Sequence, residues 1–152
     1  MNNLSGDNLK RVTQIAIVVK DIEKAIAIWS ELLGLEKPSI EETADLELTH
    51  MTFRDKPSKG RAKLAFLNLE NIEIELIQPV DGPSTWQDFL DRHGEGIHHI
   101  AFHVENLEET LERFRKMGIR AEQKGDFKGG CYVYTNSKSE LGAIIELLHM
   151  HA

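Results

Sequence analysis

Gln14-Ile15-Ala16-Ile17-Val18-Val19-Lys20-Asp21-Ile22-Glu23 aligns without a gap on His99-Ile100-Ala101-Phe102-His103-Val104-Glu105-Asn106-Leu107-Glu108. Each segment is a short apolar run followed by a residue suited to cap a helix. Further along, Ile74-Glu75-Leu76-Ile77 aligns on Ile145-Glu146-Leu147-Leu148. The chain therefore contains itself twice, and an internal repeat decides architecture before any single element does.

Reading outward, Val12–Val19 is rich in β-branched residues and predicts a buried strand. Asp21 offers an N-cap, and Ile22, Ala25, Ile26, Trp29, Leu32 and Leu33 fall on one helical face that Gly34 ends. Leu46–Phe53 alternates and predicts a strand. Asp55–Gly60 predicts a loop. Ala62–Leu69 and Ile72–Gln78 predict a hairpin across Glu70-Asn71, stopped by Pro79. That completes one β-α-β-β-β unit over 10–80. Residues 81–96 form a linker with a short amphipathic helix over Ser84–Arg92. The pattern then restarts over 97–149. Ile97–Val104 predicts a strand, and Asn106 caps a helix with Glu109 completing a capping box. Leu107, Leu111, Phe114 and Met117 form that helix's apolar face, ended by Gly118. Ile119–Gln123, Cys131–Thr135 and Ala143–Leu148 are the remaining strands, joined by a loop at Lys124–Gly130 and a turn at Asn136–Gly142. The expected fold is α+β: two paired βαβββ modules in one compact domain, forming an open mixed sheet around a cleft with helices outside.

Strand side chains alternate between faces. In the first strand Ile15, Ile17 and Val19 share one face, and Gln14, Ala16 and Val18 the other. In its repeat Ile100, Phe102 and Val104 oppose His99, Ala101 and His103. The wholly apolar faces should carry the helices. Glu75 and Glu146 fall on the opposite, non-helix faces of their strands. Pairing of the two units about a pseudo-twofold axis brings Gln14, Glu75, His99 and Glu146 into one cleft. Two carboxylates, an imidazole and an amide oxygen suit a divalent ion such as Zn, Ni, Co, Mn or Fe, with coordination positions left open for catalysis. Taken singly, a Glu on an outer strand face is usually just solvated. The matched positions raise these four above that reading. Glu73 shares the face without an equivalent partner and reads as solvated or supporting. His98 and His103 read as structural, and His149 and His151 as a tail.

Composition excludes other classes. At 152 residues the chain can bury a full core without staples. A net charge of −7 argues against nucleic acid or an anionic membrane surface as partner. A single cysteine, Cys131, rules out an internal disulfide and reads as a half-buried apolar residue. With no long apolar run and a polar start over Met1–Lys10 that is expected to fray, the expected compartment is the cytoplasm.

The two units and this ligand pattern resemble the vicinal oxygen chelate superfamily, which includes glyoxalase I and methylmalonyl-CoA epimerase. The resemblance spans about Val12 to Leu148. Gly94-Glu95-Gly96-Ile97-His98-His99-Ile100-Ala101-Phe102, the Ser84–Arg92 helix and Gly142-Ala143-Ile144-Ile145-Glu146-Leu147 look most like the epimerase branch. That resemblance implies His99 and Glu146 as metal ligands, with Glu146 also the catalytic acid/base. Two positions depart: Gln14 stands where the epimerases have His, and Glu75 where they commonly have Gln or Glu. The set Gln, Glu, His, Glu is similar instead to one class of glyoxalase I. Both branches move a proton next to a carbonyl, with Glu146 and Glu75 as the expected bases. The implied substrate is an acyl-CoA thioester, or alternatively a glutathione adduct processed by a lactoylglutathione lyase. A metal-free protein that sequesters a small molecule is the third alternative. Members often dimerise, and Trp86 and Phe89 suit either an interface or a core. Lys124–Gly130 and Lys56–Arg61 could meet substrate anions, although neither has the spacing of a phosphate-binding motif.

Overall fold

The computed structural model describes residues 9–151. Most of Met1–Lys10 lies outside them, but Leu9 packs against a core cluster. The repeat becomes a pair of matching half-sheets. In the first half, β1 (Gln14–Val18) leads into α1 (Ile22–Leu33), followed by β2 (Glu41–Glu42). A short helix, α2 (Leu46–Thr49), and a hairpin of β3 (Thr52–Phe53) and β4 (Lys56–Pro57) intervene before β5 (Arg61–Asn68) and β6 (Glu73–Asp81). The helix α3 (Thr85–His93) bridges to the second half: β7 (Gly96–His103), α4 (Leu107–Lys116), β8 (Ala121–Phe127), β9 (Gly130–Thr135), α5 (Lys138–Leu141) and β10 (Ile144–Met150).

The ten strands of the described residues form one mixed sheet in the order β2-β5-β6-β1-β7-β10-β9-β8-β3-β4. Within the first half the order is β1-β6-β5-β2; within the second it is β7-β10-β9-β8. The halves meet where β1 runs antiparallel to β7, while β1/β6 and β7/β10 are parallel. The expected strand over Leu46–Phe53 is corrected. Its first half is α2, and its end, β3, leaves its own module to pair with β8 of the other. The true counterpart of β8 is the two-residue β2 on the edge of β5.

Helix α1 forms as its sequence dictates. The Asp21 carboxylate accepts from the Lys24 N–H, and Gly34 closes the helix in the left-handed region at φ 66°. Ile22 and Ile26 bury against Ala65, Leu67, Ile74 and Leu76 on the convex side of the sheet. Each such side chain contributes about 1.5–3 kcal/mol when fully buried. Leu32 does not join them; it is exposed at the open end of the helix. The α4 face packs similarly around Phe114, Leu107 and Leu111, but Met117 is the exposed C-cap residue. Helix α3 packs on the concave side. Its Trp86 is buried with Ala16, Val18, Ile77 and Tyr134, with Phe89 against them. Trp86 is thus a core residue that closes one end of the cleft.

Several boundaries differ from expectation: the expected loop Asp55–Gly60 contains β4, the expected turn Asn136–Gly142 contains α5, and the strand expected over Ile119–Gln123 begins at Ala121. Pro79 does not stop β6. It sits opposite Ala62 where the β5/β6 register shifts, a position where a missing N–H is tolerated. Lys124–Gly130 is not a loop, since β8 runs to Phe127 and turns at Lys128-Gly129. Gly125 is needed in that strand because a Cβ there would lie 2.9 Å from the Tyr132 ring and hydroxyl. His149 belongs to β10, paired across from Cys131, with its Nδ1 3.2 Å from the Val104 carbonyl.

Candidate metal centre

Register fixes the site. Ala16 is the neighbour of Glu75 on one side and His99 on the other. Ala101 is likewise the neighbour of Gln14 and Glu146. Both alanines are fully buried and form a low floor between four longer side chains. The two halves therefore contribute equivalent frames, as the repeat requires.

The four side chains converge on His99 Nε2. Gln14 Oε1 lies 3.3 Å from it, Glu75 Oε1 3.6 Å and Glu146 Oε2 2.6 Å. All four residues are buried. Gln14 is oriented by Glu73, whose carboxylate accepts from Gln14 Nε2 at 2.8 Å, so the amide oxygen points to the centre. Glu73 is thus a supporting residue rather than a merely solvated one.

A β-bulge re-aims one further side chain. Ala16 pairs with His99 but Ile17 pairs with Ile97, so His98 is an extra residue in β7. Strict alternation would have sent His98 to the opposite face from His99. Instead its Nδ1 stands 2.8 Å from the Nδ1 of His99. Alternation alone carries no signal for this contact; only the interrupted pairing creates it.

Burial dominates the electrostatics. It holds His99 down at about 3, so the imidazole is neutral at physiological pH. Burial, followed by the proximity of His99, lowers His98 well below its usual range. Burial raises Glu146 to about 8, with Glu73 adding to the effect. Burial and then the nearby Glu146 and Glu73 carboxylates raise Glu75 well above its usual value. Two ionised carboxylates here are costly unless a cation compensates them.

The donor set fits a divalent ion. Glu75 Oε1 and Glu146 Oε2 are buried without a hydrogen-bond partner, the signature of groups made for something the protein does not itself supply. Ligands held about 2.1 Å from one ion lie roughly 3.0–3.4 Å apart. Gln14 Oε1 and Glu75 Oε1 stand near that separation from Nε2, while Glu146 is drawn closer. Among the described residues, accordingly, no three His, Cys, Asp or Glu groups already stand in finished coordination geometry. For Glu146 and His99 to hold one ion, the Glu146 carboxylate would have to stand farther from Nε2 than it does.

The centre opens into a cavity of about 580 Å³, bordered by Leu64, Phe66, Trp86, Tyr132 and Tyr134 with Lys128 and Asp126 toward its rim. That volume and lining suit a small-molecule ligand. His103 also borders the cavity but is exposed and remote from the convergence point. Arg61, at the end of the basic stretch, is already engaged, pairing with Glu42 at 2.7 Å and lying near Asp45 and Asp81. Burial, then Asp126, pushes the Cys131 thiol up, away from a reactive thiolate. No helix of the described residues is long and apolar enough to cross a membrane.

Comparison with known proteins gives the same architecture. A chain of methylmalonyl-CoA epimerase from Mycobacterium tuberculosis superposes with a TM-score of 0.65 at 22% identity, covering 95% of this chain and 90% of that one. The human mitochondrial methylmalonyl-CoA epimerase is 30% identical over 92% of this chain and 74% of its own length. The ethylmalonyl-CoA/methylmalonyl-CoA epimerase of Cereibacter sphaeroides is 29% identical over 90% of this chain and 96% of its own. A family model matches residues 13–135, which include Gln14, Glu75 and His99. The chain belongs to the glyoxalase/bleomycin resistance protein/dioxygenase superfamily.

Proposed function

We propose that the protein is a metal-dependent epimerase acting α to the carbonyl of an acyl-CoA thioester, of the methylmalonyl-CoA epimerase type. The observation that carries this reading is the convergence of two buried carboxylates, one from each module, with an imidazole and an oriented amide oxygen. The likeness to acyl-CoA epimerases over nearly the whole chain supports the substrate class. Gln14, Glu75, His99 and Glu146 would hold the ion. When bound, a divalent ion would supply Lewis-acid stabilisation of the negative charge developing on the substrate oxygen.

The remaining chemistry belongs to the chain. Glu146 accepts the α-proton, and the C–H electron pair passes into the carbonyl. Glu75, reaching in from the opposite module and starting with the one proton that the pair holds, gives that proton to the other face of the planar carbon, so that Glu146 ends protonated and Glu75 ionised. Exchange of roles between the two serves the reverse reaction. Burial lifts Glu146 to about 8 in the metal-free site, and beside a bound cation it would fall from there through the neutral range in which general acid–base catalysis is most effective. The apolar walls around Trp86 and Leu64 exclude water from the carbanionic species.

The decisive experiment incubates metal-loaded protein with methylmalonyl-CoA in deuterium oxide and, in parallel, with the methylglyoxal–glutathione hemithioacetal. Deuterium entry at the α-carbon supports the epimerase. Consumption of the hemithioacetal alone would favour a glyoxalase I-type lyase, the reading that the Gln-Glu-His-Glu set favours. Activity on neither, with no stoichiometric metal, would point to sequestration. For the two-base scheme, Glu75→Gln should slow epimerisation by roughly 10²–10⁴-fold. Unchanged exchange of the substrate α-proton in that variant would sink the role of Glu75.

His98 should matter through His99. With Nε2 kept as the ligand lone pair, His99 carries its proton on Nδ1 and donates it to His98 Nδ1. Such supporting contacts typically contribute 10- to 100-fold in metal affinity, so His98→Leu should weaken binding by about that factor. Competition with a chromophoric chelator measures it; equal affinity would reduce the contact to packing.

A further inference from the structure

Tyr134 stands on β9 directly across from Glu146 on β10. It is buried, borders the cavity, and its ring centroid lies 4.7 Å from that of His99. Its hydroxyl is held in one specific way. Trp86 Nε1 lies 3.0 Å from Tyr134 Oη, and an indole N–H can only donate. Tyr134 Oη is therefore an acceptor in that contact, and its own O–H must donate elsewhere. Among the described residues no acceptor takes it. Tyr132, two residues away on the same strand, repeats the device. Gln123 Oε1 accepts from the Thr85 N–H at 2.8 Å, which fixes the amide, so Gln123 Nε2 donates to Tyr132 Oη at 2.9 Å. Tyr132, however, sits across from Leu148 rather than from a carboxylate.

We infer that Tyr134 is a catalytic hydrogen-bond donor, its O–H reserved for the substrate oxygen on which negative charge develops when the α-proton leaves. The inference rests on the epimerase reading for the identity of the substrate, but the geometry requires only a ligand with an enolate-like oxygen. Trp86 makes the donor preorganised. By occupying the acceptor side of the hydroxyl from a fixed position in α3, it limits where the proton can point. A donor already aimed at the developing charge stabilises the transition state more than the ground state.

The test compares wild type, Tyr134→Phe and Tyr132→Phe for affinity toward two CoA ligands. One is the nitronate of 2-nitropropionyl-CoA, an anionic mimic of the enolate; the other is neutral propionyl-CoA. Tyr134→Phe should lose about 10²-fold in nitronate affinity, with a similar fall in kcat, the size expected for one oxyanion donor. Propionyl-CoA affinity and metal content should be little changed. Tyr132→Phe should shift both affinities alike. Because Tyr134→Phe leaves the Trp86 N–H without its partner, the double variant Trp86→Phe/Tyr134→Phe repeats the measurement with that orphan removed. Equal losses for both ligands, or no loss in either variant, would overturn the inference. A hydroxamate mimic of the glutathione enediolate separates this from the epimerase reading. If wild type binds that mimic and neither CoA ligand, the epimerase reading fails while Tyr134→Phe must still lose affinity for the mimic. Wild type binding none of the three overturns both.

Discussion

Replacing Glu146 by Gln is expected to remove nearly all α-proton exchange, by at least the roughly 10²–10⁴-fold that general-base catalysis contributes. Two functions leave with one oxygen. The amide cannot accept the substrate proton, and its neutral oxygen is a poorer ligand for a divalent ion than a carboxylate. The fold should survive, because Gln is isosteric and, unlike Glu146, never has to be held protonated against ionisation in a buried site. Thermal stability of the metal-free variant should therefore equal or exceed that of metal-free wild type. Deuterium exchange by NMR, metal titration and a melting curve together check this. A variant that keeps full exchange activity, or one that unfolds, would contradict the assignment of Glu146.

Metal binding should strengthen steeply with pH, and the metal-free protein should weaken above about pH 6.5. Glu146 is raised from its ordinary value of 4.5 to about 8, and Glu75 is raised as well. A raised carboxyl means that the folded state holds protons which the unfolded state has released. Below about pH 6.5 this is offset by His98 and His99, whose lowered proton affinity means that the unfolded state binds protons there which the folded state does not. Between about pH 6.5 and 8 the metal-free fold consequently loses stability as pH rises, by up to about 1.4 kcal/mol per pH unit for each proton so held. The ion binds the deprotonated carboxylates, so its affinity should rise about tenfold per pH unit for each proton displaced, up to about pH 8. His99 contributes nothing to this slope, since its pKa of about 3 leaves it already neutral. Calorimetry in buffers of different ionisation enthalpy counts the released protons. Binding that is flat between pH 6 and 8 would mean that the carboxylates are already ionised and that the site is wetter than its burial indicates.

These expectations depend on geometry that was partly legible in the amino-acid order. The repeat, the β1 and β7 faces and the caps at Asp21 and Asn106 all follow from short-range chemistry. So does the selection of Gln14, Glu75, His99 and Glu146, because alternation holds around Gln14, Glu75 and Glu146 and, for His99, on the side that runs to Ala101 and His103. Errors fell where tertiary contacts override local pattern. Leu46–Phe53 alternates like a strand, yet Leu46 packs beside the Trp86 cluster within a short helix. Phe53, meanwhile, finds its pairing partner, Gln123, in the other module. Lys124–Gly130 has loop composition, but Gly125 is there to admit the Tyr132 ring, a constraint no nearest neighbour in sequence records.

The supporting residues were not legible. Tyr132 and Tyr134 look like ordinary β-strand aromatics, and Trp86 like one side of an amphipathic helix. Their hydroxyl and indole groups acquire direction only when α3 is laid across the concave face. His98 is the sharpest case. Its place beside His99 depends on one unpaired residue in β7, and register is a property of two strands rather than of either alone. By itself the sequence determined the doubled architecture and the four converging donors, because strand periodicity is set by backbone geometry. Only the tertiary structure decided which groups orient those donors and which side of the Tyr134 hydroxyl Trp86 occupies, because hydrogen-bond direction depends on what packs against each side chain from elsewhere in the chain.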